Sequence, residues 1–136
     1  MEEKFGAVVV AAGNSTRMGG TGSKAFADLG GKPVLRWSLE VLAASPLVGE
    51  LCIVCRAEDM EAAQQAADGL GKPIKLAEGG PTRQESVWLG AAALEPDWPY
   101  LLVHDGARPL ITPEILENVC QDALRFGAAT AAVPMK

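Results

Sequence analysis

The chain has 136 residues, 49% of them hydrophobic, which is enough sequence for one domain with a real core. Twelve Lys and Arg against seventeen Asp and Glu leave a net charge of −5 with no run of five basic residues, which argues against non-specific nucleic-acid binding and makes any local cluster of cations informative. No apolar stretch approaches the roughly 18 residues of a membrane span, and Met1-Glu2-Glu3-Lys4 lacks the cationic start and long apolar run of a secretion signal, so the expectation is a cytoplasmic protein without a membrane partner.

Phe5 to Ala11 reads as a first strand, apolar on both faces. It runs straight into Ala11-Ala12-Gly13-Asn14-Ser15-Thr16-Arg17-Met18-Gly19, with Gly20, Gly22 and Lys24 following. Glycines let the backbone approach a ligand closely, Ser15 and Thr16 add hydroxyls, and peptide N–H groups can turn toward phosphate oxygens. Arg17 brings a planar fork of donors and Lys24 a mobile point charge, a pair suited to a phosphorus centre whose oxygens gain charge as it is attacked. The same composition also fits a plain surface loop, and neither G-x-x-x-x-G-K-[ST] nor G-x-G-x-x-G is present.

Pro33 sits at a plausible first helical position, and Val34, Leu35, Trp37, Leu39, Val41 and Leu42 continue as a largely apolar helix closed by Pro46. Leu51 to Cys55 reads as a second buried strand, Glu58 to Ala67 as an alanine-rich helix ended by Asp68-Gly69, and Ile74 to Ala77 as a third strand. Thr82 and Glu85 form a capping box that opens a helix through Val87, Trp88, Leu89, Ala92 and Leu94. Tyr100 to Val103 is a fourth strand, Thr112-Pro113-Glu114 starts a helix that stops at Gly127, and Ala128 to Val133 is a fifth strand. The βαβα order with continuous apolar strands implies an α/β, Rossmann-like, mostly parallel sheet with helices on both faces. Cys52-Ile53-Val54-Cys55 matches C-x-x-C, but on a strand the two thiols point to opposite faces, so these and Cys120 read as reduced core cysteines.

In such a sheet a ligand lies beyond the C-terminal ends of the strands. Three clusters fall there: the glycine loop; Gly79-Gly80-Pro81-Thr82-Arg83-Gln84-Glu85-Ser86, where helix-start amides favour an acceptor; and His104-Asp105-Gly106-Ala107-Arg108-Pro109. Asp105 could accept hydrogen bonds from ribose hydroxyls, assist a divalent ion, or simply cap a turn. No other metal ligand suggests itself. His104, on the opposite side of the strand from Asp105, reads as a structural residue hydrogen-bonded beneath the loop or one step removed from ligand.

Taken in order, Ala11-Ala12-Gly13, Arg17-Met18 and Lys24, then Gly79-Gly80, Arg83 and Ser86-Val87, then Val103 to Pro109, make the chain resemble the 2-C-methyl-D-erythritol 4-phosphate cytidylyltransferases, within the nucleotidyltransferases. The resemblance implies a nucleotide-diphospho-sugar transferase-like fold in which Ala11, Ala12 and Gly13 wrap the nucleotide and Arg17 and Lys24 bind the triphosphate and act in catalysis. By the same resemblance Gly80 and Ser86 read the cytosine edge, Arg83 supports that loop, and Asp105 and Ala107 hold the ribose. It also implies Mg²⁺ with CTP, CMP transfer to a polyol phosphate in non-mevalonate isoprenoid synthesis, and a homodimer. Ribitol 5-phosphate as acceptor, and a non-catalytic nucleotide-binding module, stay open as alternatives. Pro81 departs from the acidic residue common after the second glycine. Residues 1–136 then read as a single domain lacking its C-terminal part and dimerisation arm, with poor turnover of its own.

Overall fold

A computed structural model describes residues 5–11, 24–96, 98–106 and 112–126. In chain order the elements are β1 (Phe5–Val10), β2 (Asp28–Leu29), β3 (Lys32–Pro33), α1 (Val34–Ala44), β4 (Val48–Cys55), α2 (Met60–Ala66), β5 (Ile74–Glu78), α3 (Arg83–Ala93), β6 (Tyr100–Asp105) and α4 (Pro113–Phe126). Single 3₁₀ turns cover Lys24–Phe26 and Ala57–Asp59. Four strands form one sheet in the order β5-β4-β1-β6, and all three pairings are parallel. The chain winds outward from β1 through β4 to β5, then crosses back to place β6 on the other side of β1, as in a doubly wound fold.

The central strands β1 and β4 are buried along their whole length, as strands covered on both faces must be. On one face Leu35, Leu39 and Leu42 of α1, Ala63 and Ala66 of α2, and Leu116 and Cys120 of α4 pack on Phe5, Ala7, Val9, Leu51, Ile53 and Cys55. On the other, Val87 and Ala91 of α3 and Leu94 just after it cover Val8, Val10, Cys52 and Val54. The alternation of strand side chains is what divides the two cores. α3 lies close to the sheet at Gly90, where a Cβ would meet Val54 Cγ2 at 2.6 Å and Val8 Cγ1 at 2.7 Å.

Every strand and helix expected within the described residues is present, with shifted bounds. β4 starts at Val48, three residues early, and includes Glu50, a buried carboxylate that an apolar-run reading passes over. The helix expected from Glu58 to Ala67 is split into the Ala57–Asp59 turn and α2. Pro33 is not the first helical residue; it ends β3 and stands just before α1. The β2–β3 hairpin was not anticipated, because two-residue strands carry no periodicity to read. The fifth strand, Ala128 to Val133, lies outside the described residues.

Glu50 is held at the N-terminal half of the sheet, beside Gly6 of β1. Its Oε1 accepts from the Glu95 N–H at 2.9 Å and from Trp98 Nε1 at 2.8 Å, while Oε2 pairs with Lys75 Nζ at 2.8 Å. Lys75 reaches Glu95 as well, at 3.0 Å. Burial pushes the Glu50 carboxyl up, but the hydrogen bonds from Lys75, Trp98 and Glu95 outweigh it and hold it below the usual carboxylate range. The segment after α3 is thereby fastened to β4 and β5.

Candidate nucleotide site

The C-terminal ends of the four strands leave the sheet side by side, and backbone bonds tie each exit to its neighbour. The Ala11 N–H donates to Val54 O at 2.6 Å, the Gly79 N–H to Cys55 O at 2.9 Å, and the Gly106 N–H to Val10 O at 2.8 Å. The chains after β1, β5 and β6 therefore line one edge, and the crevice between β1 and β6 is the point where strand order reverses, the place ligands occupy in open α/β sheets.

Several of the residues singled out from sequence stand on this edge. Ala11 is buried directly after β1, and Asp105 is the last residue of β6, in register with Val10 and half-buried. Gly80 is half-buried beyond β5, Ser86 is buried one turn into α3, and Arg83 opens that helix on its exposed side. The backbone of Lys24 begins the turn that leads to β2. Ala12, Gly13, Arg17 and Ala107 lie outside the described residues, as does the Lys24 side chain, so neither cation of the expected pair is placed.

The Gly79–Ser86 segment is locked from within. The Gly80 N–H donates to Ser86 Oγ at 3.1 Å, and the Gly79 N–H is spent on Cys55. Thr82 caps α3: its Oγ1 accepts from the Glu85 N–H at 3.1 Å, and the hydroxyl lies 3.2 Å from Glu85 Oε1, to which it donates. The capping box is thus present, with its carboxylate turned to the hydroxyl. Pro81 has no N–H to give. Both glycine N–H groups are engaged, the Gly80 carbonyl takes a long bond from Ser86 Oγ at 3.5 Å, and the amides at Thr82, Arg83 and Gln84 precede the first bonds of α3. The amides at the start of α3 are the ones expected to favour an acceptor; that the glycine N–H groups are spent inside the loop was not anticipated.

His104 settles as structural. It is 4% exposed, and its Nε2 lies 2.9 Å from Oγ of the fully buried Ser38, pinning β6 to α1 beneath the edge. Ser38 was missed, although a lone serine within the stripe Leu35-Ser38-Leu39-Leu42 is the signal of a buried polar tie. Arg56, just after β4, was missed too; its Nε pairs with Asp59 at 3.0 Å and its Nη1 with Glu58 at 3.5 Å, closing the Ala57–Asp59 turn, while Nη2 is buried without a partner among the described residues. Cys52 and Cys55 are free and buried on opposite faces, and Cys120 is free and buried too. Burial pushes each of the three thiols up to about 11. Among the described residues no group of three His, Cys, Asp or Glu is placed to hold a metal ion, and no helix is long and apolar enough to cross a membrane.

Parallel order β5-β4-β1-β6, helices on both faces and small-residue exits at the switch point define a doubly wound α/β protein of the nucleotidyltransferase type. A family model described as 2-C-methyl-D-erythritol 4-phosphate cytidylyltransferase matches residues 5–136, and the chain belongs to that family. It is 42% identical over 138 residues to the protein of that name from Dehalococcoides mccartyi, covering 100% of this chain and 60% of that one. To the protein of that name from Gloeobacter violaceus it is 39% identical, over 95% of this chain and 56% of the relative. Among solved structures, 4-diphosphocytidyl-2C-methyl-D-erythritol synthase from Anaerococcus prevotii superposes with a TM-score of 0.77 at 27% identity, over 91% of this chain and 52% of that one. The chain thus spans at most about 60% of the length of these relatives.

Proposed function

We propose that the protein containing this chain transfers CMP from CTP to 2-C-methyl-D-erythritol 4-phosphate and releases pyrophosphate, and that these residues form the CTP half of its site. The observation that carries the reading for this chain is the locked Gly79–Ser86 loop. With its glycine N–H groups engaged and Pro81 lacking one, it offers oxygen acceptors, which favour the exocyclic amine of cytosine and oppose the carbonyl that uracil carries at the same ring position. The Ser86 hydroxyl accepts from the Gly80 N–H at 3.1 Å and points its proton at Gly80 O at 3.5 Å, a long bond that a ring acceptor of the base would compete for.

In the reaction, a phosphate oxygen of the acceptor attacks the α-phosphorus of CTP in line, a new P–O bond forms, and the bond to the β-phosphate breaks. Ala11, Ala12 and Gly13 bring backbone to the nucleotide, and Asp105 with Ala107 holds the ribose. Arg17 and Lys24 stabilise charge gathering on the transferred and leaving phosphates. No protein nucleophile is required, because positioning and charge carry most of such a transfer. Mg²⁺, which commonly keeps one or two carboxylates beside substrate phosphates, fits an edge with Asp105 as its carboxylate and would offset phosphate charge when bound. We further assign the protein to the cytoplasm, acting as a homodimer.

Thermal stabilisation by CTP, UTP, ATP and GTP with Mg²⁺ tests the base assignment, because ligand bound to the folded state raises the melting temperature. A shift selective for CTP is expected; equal shifts with all four would overturn it. In the whole protein, Arg17→Ala and Lys24→Ala should each lower turnover by roughly two orders of magnitude or more, the scale of losing one transition-state donor. Unchanged turnover would remove both from the mechanism.

A further inference from the structure

One side chain in the middle of the ligand edge has no part in the reaction as proposed. The Ala11 N–H donates to Val54 O at 2.6 Å and the Gly79 N–H to Cys55 O at 2.9 Å, so the exits of β1 and β5 flank the last two residues of β4. Arg56 follows directly, between the stretch that opens the glycine loop and the one that opens the base-reading loop.

Its guanidinium is held in one orientation. Nε pairs with Asp59 Oδ2 at 3.0 Å and Nη1 with Glu58 Oε2 at 3.5 Å, and the Asp59 side chain is only 14% exposed, so the closer pair is sheltered. Nη2 is shut off from water and has no acceptor among the described residues. A guanidinium N–H in that state is costly, because it has given up water without gaining a partner. An acceptor oxygen carried in by a ligand removes the cost.

Charge decides which oxygen. Two carboxylates face one guanidinium, so the cluster is net negative and a phosphate gains little there. A neutral carbonyl meets no such repulsion. Cytosine presents three groups in a row along one edge: the amine at C4, the ring nitrogen N3 and the carbonyl at C2. The Gly79–Ser86 loop, at the β5 exit, is assigned the first two. The third lies one place further along, and with the sheet ordered β5-β4-β1 the residue next to that loop is Arg56. The base has a carbonyl without a donor, and the edge has a donor without an acceptor.

We propose that Arg56 binds the nucleobase: its Nη2 donates to the 2-carbonyl of the pyrimidine, with Asp59 and Glu58 keeping the guanidinium aimed there. This rests on the reading of the Gly79–Ser86 loop as the base site. Cytosine and uracil share the 2-carbonyl, and adenine and guanine carry no oxygen on that carbon. Arg56 therefore selects pyrimidines, while the loop separates CTP from UTP.

Isothermal titration with Mg²⁺ compares CTP, UTP and 2-thio-CTP, in which sulfur, a weak acceptor, replaces the 2-carbonyl oxygen, on the parent chain and on Arg56→Lys and Arg56→Met. Arg56→Lys keeps the charge that faces Asp59 and Glu58 and removes the forked donor, which guards against a variant that fails to fold. The parent should bind CTP roughly tenfold more tightly than 2-thio-CTP, the size of one charge-assisted hydrogen bond. Arg56→Lys should weaken CTP and UTP roughly tenfold, keep their ratio within about twofold, and bind 2-thio-CTP within about twofold of the parent. Arg56→Met should show the same pattern. Equal weakening of CTP and 2-thio-CTP would make Arg56 a scaffold residue and overturn the proposal, as would variants that bind CTP as well as the parent does. A parent chain that binds no CTP, or does not prefer it to UTP, fails the reading of the loop first and the proposal with it.

Discussion

The two ends of the sheet handle polar groups in opposite ways. At the N-terminal half, Glu50 is 2% exposed and takes hydrogen bonds from Trp98, Glu95 and Lys75, so a side-chain network binds the segment after α3 to two strands. At the C-terminal edge the ties among the described residues run mostly backbone to backbone, from Ala11, Gly79 and Gly106 to the neighbouring strand, with the small side chain of Ser86 and the Thr82–Glu85 cap joining in at the loop. A network built of large side chains fills its own space and leaves nothing to bind. An edge held by its main chain and small residues stays fixed while leaving room for a ligand. The difference teaches that order at this edge comes without bulk, which is what a nucleotide needs.

The harshest way to break that comparison is to move α3, which serves both ends at once. Gly90→Val would drive methyl groups into Val8 and Val54, neither of which has an exposed direction in which to retreat, at a cost above about 4 kcal/mol. Circular dichroism melts should show the cooperative transition lost or lowered by tens of degrees. A variant melting within a few degrees of the parent would mean α3 does not cross the sheet at Gly90.

A smaller effect separates the ends. Glu50→Ala leaves Trp98 Nε1 and the Glu95 N–H without their acceptor, and about 2–4 kcal/mol should be lost, while CTP affinity changes less than twofold. Because Glu50 is held below its ordinary range when folded, its contribution is present above about pH 4.3, the unfolded value, and drains away as pH falls through the lowered folded value. Urea denaturation at pH 7 and pH 3 should show that acid loss in the parent and a weaker one in Glu50→Gln. Equal acid sensitivity would assign it to other carboxylates.

At the ligand end, Ser86→Ala should cost about 1 kcal/mol of stability by freeing the Gly80 N–H, yet cut the preference for CTP over UTP about tenfold. A freed amide is a donor that uracil's carbonyl can accept. A full loss of stability with selectivity intact would move Ser86 to the scaffold alone.

What the sequence made legible follows from which signals are local. Runs such as Ala7-Val8-Val9-Val10 and the Thr82–Glu85 box carry their structure in a few adjacent residues, and strands, helices and parallel order could be read from them. The strand exits that open the three polar clusters, at Ala11, Gly79 and Gly106, were legible as an edge because strand direction alone puts them there, and the family resemblance implied the roles. Ties between distant residues were not legible. Ser38 with His104, Glu50 with Trp98, and Trp37 with Leu29 depend on which elements become neighbours, and single polar residues in apolar stretches do not name their partners. Nor could the spent glycine amides be foreseen, since whether an N–H is free depends on how the loop closes over Ser86.

The mildest test concerns the core between the two ends. Cys52 and Cys55 alternate across β4, one under α3 and the other under α1 and α2, so the sheet itself keeps the thiols apart. With each thiol raised to about 11 by burial, the folded protein holds almost no thiolate at pH 7. Labelling with a thiol-specific disulfide reagent should therefore be negligible until denaturant is added, when all three react. Unfolded thiols ionise near 8.5, so the stability they lend is complete below that pH and is lost as pH rises toward about 11. Rapid labelling of the native protein at pH 7, or a Cys52–Cys55 disulfide formed without unfolding, would mean that β4 is not held between two covered faces. The contrast between a closed core and an open edge would then lose its middle term.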